Sequence, residues 1–115
     1  MKIQVSLLTS LASAVAATLL AAAVPAQAQD VAAAEALAKK SNCMKCHSVS
    51  AKKEGPPFKE TAAKYKGKAD AENKLVVHLT TSPKIKVDGV EEEHANLKTK
   101  NEAEVRNVVK WILAQ

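Results

Sequence analysis

The chain of 115 residues carries 17 basic and 12 acidic side chains, a formal charge of +5, and is 47% hydrophobic but only 3% aromatic. That length allows one domain and excludes Rossmann, barrel and large β-sandwich architectures, while 3 Gly and 4 Pro are too few for a collagen-like or low-complexity chain. Nucleic-acid binding is also excluded: Arg106 is the sole arginine among many lysines, and the aromatic rings are limited to Phe58, Tyr65 and Trp111, whereas nucleic-acid surfaces favour arginine interleaved with aromatics.

In chain order, residues 1–28 come first, with 19 hydrophobic residues and Lys2 as the one charged side chain. A short basic start, an apolar stretch from about Leu11 to Val24, Pro25, and the small-x-small site Ala26-Gln27-Ala28 predict a secretory signal peptide. The apolar run falls short of the roughly 20 residues of a spanning helix, so no stable membrane insertion is expected after cleavage; an uncleaved anchor is the alternative. The expected address is a periplasm or an equivalent exported space, which is oxidising. The second unit, residues 29–115, keeps 35 hydrophobic residues, of which 13 are alanine. So thin a core calls for a supplement.

Asp30 is placed to cap a helix over about Val31–Lys40, with Val31, Ala34, Leu37 and Ala38 on one stripe. Gly55-Pro56-Pro57 forces an extended stretch, because residues before proline avoid the helical region. A short helix is predicted over Phe58–Tyr65, stopped by Gly67, and a third from Ala69 to about Leu79, ended before Pro83. Residues 81–98 show no helical period and are expected to form a loop. A last helix from about Asn101 to Leu113 aligns Val105, Val108, Val109 and Ile112. The fold class is all-α, about four helices.

One pentapeptide carries the chemistry. Cys43-Met44-Lys45-Cys46-His47 is a C-x-x-C-H sequence, the attachment signature of c-type haem. Two thiols three positions apart can each form a thioether to a vinyl group on the same porphyrin edge, and the adjacent His47 becomes an iron ligand. Three other readings compete. A Cys43–Cys46 disulfide closes too small a loop to stabilise much and leaves His47 unexplained. A thioredoxin-like pair wants a βαβ context that is missing. A zinc site is poorly served by His78 and His94, which are 16 apart and miss the usual H-x(3 to 5)-H spacing.

The chain resembles the small bacterial class I cytochromes c of the c551/c552 kind. The resemblance rests on Leu37-Ala38-Lys39-Lys40-Ser41-Asn42 running into the pentapeptide, Gly55-Pro56-Pro57-Phe58 after it, Ala62-Ala63-Lys64-Tyr65 leading to Gly67, and Val109-Lys110-Trp111-Ile112-Leu113 at the end. It covers nearly all of residues 29–115. It implies the class I cytochrome c fold, with helices wrapped around one covalently attached haem c whose first and last helices cross. It also implies that the Pro56 carbonyl holds the far ring nitrogen of His47.

Family members mostly use methionine as the second axial ligand, and here the pattern breaks. Met1 belongs to the signal and Met44 lies inside the attachment motif, so neither can reach the opposite face of the iron. His94 lies 17 residues before Trp111, near where the family's methionine falls, and imidazole is a good iron ligand. His78 is the rival. It shares a helical stripe with Leu75 and Leu79, and its position resembles those that hydrogen-bond a haem propionate. An open site, Asn96 or a lysine are the remaining options.

Two imidazoles would make a soluble, low-potential electron carrier rather than an enzyme, because methionine ligation raises the potential relative to histidine and the acids Glu91, Glu92 and Glu93 favour the oxidised iron. The alternative is a haem protein with an open or displaceable distal site that binds small ligands or catalyses. Between Lys39 and Lys68 there are nine lysines against Glu54 and Glu60, whereas Asp88 to Glu104 holds six acids against Lys98 and Lys100. That dipole suggests redox partner proteins with an acidic docking patch. A monomer is expected.

Overall fold

A computed structural model of the protein describes residues 29–115; the expected signal peptide over residues 1–28 lies outside the described residues. The elements run α1 (Val31–Lys40), α2 (Cys43–Cys46), α3 (Phe58–Tyr65), α4 (Ala71–Thr80), β1 (Lys84–Val87), β2 (Val90–Glu93) and α5 (Glu102–Leu113). No helix among the described residues is long and apolar enough to cross a membrane.

Helix α1 starts where the sequence places it. Asp30 has extended backbone and its carboxylate accepts from the Ala33 N–H, which satisfies one of the orphan donors of the first turn. Its alanines then matter, because Ala34 and Ala38 are fully buried and let α1 lie close against α5. Asn107 reinforces the crossing: its side-chain amide accepts from the Asp30 N–H and donates to the Asp30 carbonyl. The core is completed by Phe58, Leu75, Leu79, Leu97, Val105, Val108, Val109, Trp111 and Ile112. Four of its members are the Val105, Val108, Val109 and Ile112 of the predicted α5 stripe, with Asn101 outside the helix as its cap, accepting from Ala103 and Glu104.

Three expectations need correction. The helix predicted from Ala69 begins at Ala71. Residues 68–70 form a turn closed by Ala71 N–H to the Lys68 carbonyl, and the Asp70 carboxylate pairs with Lys74 at 2.7 Å instead of capping. A further helical turn, α2, holds the attachment motif itself. The stretch 81–98 is not all loop: β1 and β2 pair antiparallel with Val87 opposite Val90, around Asp88 and Gly89 at φ 48° and 83°. Asp-Gly is a turn pair that matches the right-handed twist of paired strands, and Lys84-Ile85-Lys86-Val87 alternates with period two.

Candidate functional site

The attachment motif is set up by a sharp reversal at the end of α1. Asn42 adopts the left-handed region at φ 61°, which asparagine tolerates better than most residues, and turns the chain from α1 into α2. On that single turn Cys43 is half-buried and Cys46 is oriented by Glu54, whose carboxylate accepts from its thiol at 3.3 Å. Burial pushes the Cys43 thiol up; the hydrogen bond to Glu54 does the same for Cys46. The two cysteines are separate thiols, with no disulfide between them. The His47 N–H closes the turn onto the Cys43 carbonyl, so the ring begins at a fixed point.

The following loop folds back and grips that ring. Gly55 N–H donates to the Cys46 carbonyl at 2.7 Å, and the N–H groups of Phe58 and Lys59 reach the carbonyls of Ser48 and Val49. The Pro56 carbonyl lies 2.8 Å from Nδ1 of His47 and accepts its proton, which leaves Nε2 as the nitrogen free to bind. Phe58 stacks on the imidazole with ring centres 5.3 Å apart and 20° between planes, and itself meets Trp111 edge-on at 5.3 Å. Gly55 completes the cradle: a Cβ there would stand 2.4 Å from Cε1 and 2.7 Å from Nδ1 of His47.

On the other side are the two remaining histidines. His94 is half-buried, with its ring centre 6.1 Å from that of His47 and 4.4 Å from that of His78. Its Nδ1 is a buried atom without a hydrogen-bond partner, which is unusual for a polar group. Burial lowers the pKa values of both His94 and His78, and so favours the neutral, ligand-competent imidazole. His78 is half-buried as well and lies on α4. Asn96, another option for the ligand, instead accepts from the Ser82 N–H.

The structure thus brings Cys43, Cys46, His47, Pro56, His78 and His94 into one region. These residues fit a haem: two unbridged thiols on one turn, an imidazole oriented by a carbonyl, a glycine that leaves room for the ring, and a buried unpartnered nitrogen on His94, whose ring centre lies 6.1 Å from that of His47. They fit zinc poorly, since no group of three or more His, Cys, Asp or Glu among the described residues is disposed to hold a metal ion. Sequence reasoning passed over Glu54 and Phe58 as neighbours of the motif and read Gly55 only as part of a turn. The Gly-Pro-Pro-Phe run was the available signal, but the contact of Gly55 with His47 depends on how the loop folds back.

Comparison with known proteins points to the same cofactor. The family model described as Cytochrome c matches residues 31–115. Cytochrome c-552 of Hydrogenobacter thermophilus is 34% identical over 80 residues, covering 70% of this chain and 79% of that protein. Cytochrome c-551 of Allochromatium vinosum is 51% identical over a shorter stretch, 37% of this chain and 46% of that protein. Among solved structures, the class 1 cytochrome MtoD from Sideroxydans lithotrophicus is 50% identical with a TM-score of 0.73, covering 76% of this chain and 97% of that one. Sequence and fold therefore agree, and the chain belongs to the cytochrome c family as a class I, c551/c552-like monohaem cytochrome, an electron carrier with one covalently attached haem c.

Proposed function

We propose that this cytochrome is an exported, periplasmic carrier of single electrons, ligated by two histidines and of low potential. In this reading residues 1–28 are removed as a signal peptide and residues 29–115 form the monohaem domain. Cys43 and Cys46 hold the haem through thioethers, His47 binds iron on one side with Pro56 orienting it, and His94 binds on the other. His78, on the rigid α4, hydrogen-bonds a propionate. When bound, the haem supplies the one-electron exchange.

The observation that carries this reading is the 6.1 Å between the ring centres of His47 and His94. Two imidazoles bound end-on to one metal from opposite sides, at about 2.0 Å per metal–nitrogen bond, have ring centres roughly 6 Å apart. Two nitrogen ligands saturate the iron and leave a substrate nothing to bind, which favours a carrier over the alternative of an open or displaceable distal site. Imidazole in place of thioether lowers the potential, and a potentiometric titration giving a value typical of His/Met cytochromes would contradict it.

Ligation is tested with carbon monoxide. The reduced holoprotein should show the same spectrum before and after the gas, while His94→Ala should lose its low-spin six-coordinate signature and bind it. An unchanged His94→Ala spectrum would transfer the distal role to His78 or elsewhere. The lysines between Lys39 and Lys68 support docking on an acidic partner surface by a monomer. Electron-transfer rates that ignore ionic strength would refute that docking.

A further inference from the structure

The segment 94–98 has no regular secondary structure, yet it carries His94, and four hydrogen bonds fix it. Three run to one nearby stretch. The His94 N–H donates to the Pro83 carbonyl at 2.8 Å, the Asn96 side chain accepts from the Ser82 N–H at 2.7 Å, and the Leu97 N–H donates to the Leu79 carbonyl at 2.9 Å. All three close the same excursion around the hairpin. They fasten the segment to the end of α4, and Leu97 packs into the core, but none of the three bonds reaches the chain that enters the attachment motif.

The fourth bond is of a different kind. The Lys98 N–H donates to Oγ of Ser41 at 2.9 Å, joining residues 57 apart in sequence. Ser41 caps α1 with its own N–H on the Leu37 carbonyl and stands two residues before Cys43. It is 3% exposed, the one buried polar side chain among the described residues. Losing the hydroxyl takes away the protein partner of the Lys98 N–H at a part-buried position.

We propose that Ser41 is a positioning residue for His94: its hydroxyl ties the segment that carries His94 to the segment that carries the attachment cysteines, and so sets the span between the two imidazoles. This rests on His94 being the second ligand. Neither Ser41 nor Lys98 touches the iron in this reading. Ser41 acts through the chain, by denying the 94–98 segment the freedom to swing away.

The test uses three holoproteins, Ser41→Ala, Ser41→Thr and His94→Ala. Ser41→Ala removes one oxygen at a cap whose backbone, φ −86° and ψ 4°, alanine adopts readily. It should keep a six-coordinate resting spectrum but, when reduced, form a carbon monoxide complex where the unsubstituted protein forms none, because one lost hydrogen bond lets His94 go roughly tenfold more often. The Lys98 amide should exchange faster by a similar factor, and Ser41→Thr, which keeps the hydroxyl, should behave as the unsubstituted protein. Faster amide exchange in Ser41→Ala with unchanged carbon monoxide uptake would reduce the bond to a structural one and overturn the proposal. So would uptake raised equally in Ser41→Thr. If His94→Ala binds no carbon monoxide, the ligation reading falls first and this proposal with it. If it binds the gas and Ser41→Ala behaves as the unsubstituted protein, only the role of Ser41 falls.

Discussion

The His47 side and the His94 side of the site are built by opposite means. Everything that positions His47 comes from residues 43–58: a helical turn, a loop that returns to the Cys46 carbonyl, the Pro56 acceptor, the Gly55 gap and the Phe58 ring. His94 is positioned by residues scattered from Ser41 to Lys98, meeting through single hydrogen bonds around an exposed hairpin. Local construction makes a site rigid before the rest of the domain folds, because short loops cost little entropy to close. Long-range construction makes it adjustable, since each strap can be lost separately.

The largest effect should come from crowding the local side. In Gly55→Ala the added methyl meets the His47 ring, which cannot retreat because Phe58 stacks behind it and Pro56 holds its nitrogen. Overpacking of this kind costs about 1–3 kcal/mol, and turning the ring away forfeits the Pro56 bond as well. The expected outcome is a sharp fall in the yield of haem-attached protein, measured as absorbance per polypeptide, and a perturbed ligand-field spectrum in the remainder. Unaltered yield and spectrum would show that the His47 side is as adaptable as its counterpart.

Straps on the long-range side should each matter less. Asn96→Ala removes the acceptor for the Ser82 N–H, and Ser82 lies in the left-handed region at φ 47°, which the bond helps to hold. The group is exposed, so water replaces part of the loss, and about 1 kcal/mol is expected. For a domain of this size that lowers the melting temperature by about 4–8 °C, with haem attachment intact. A fall in attachment comparable to that of Gly55→Ala would erase the contrast between the two sides.

This contrast also explains what could be read in advance. The pentapeptide is contiguous, so its chemistry is visible as spelling, and the helices α1, α3 and α5 follow from periodicity and caps. The hairpin was legible too, in Asp88-Gly89 between alternating residues, but its strands are four residues each and polar, and give no apolar run. Ser41 was not legible. Nothing in the order Lys40-Ser41-Asn42 separates a buried hydroxyl from a solvated one, because its partner is 57 residues away. Nor does sequence reveal that Gly55 is needed for space: its neighbours Pro56 and Pro57 explain a turn equally well.

The smallest effects concern charge, and they bear on the same comparison. Glu54 contacts Cys46 on the local side, while Glu91, Glu92 and Glu93 line β2 on the other, exposed along their whole length. Removing a negative charge near the iron destabilises the oxidised state, so Glu54→Gln should raise the reduction potential, and so should the triple change of Glu91, Glu92 and Glu93 to Gln. Exposed charges act through water, which limits each to on the order of 20 mV at low salt and less as salt is added. Lys84 already pairs with Glu91 at 2.8 Å, so part of the hairpin charge is neutralised, and the three residues together should do little more than Glu54 alone. Titrations at two ionic strengths decide it. A triple variant that shifts the potential several times further than Glu54→Gln would place the hairpin, rather than the attachment loop, in electrical control of the iron.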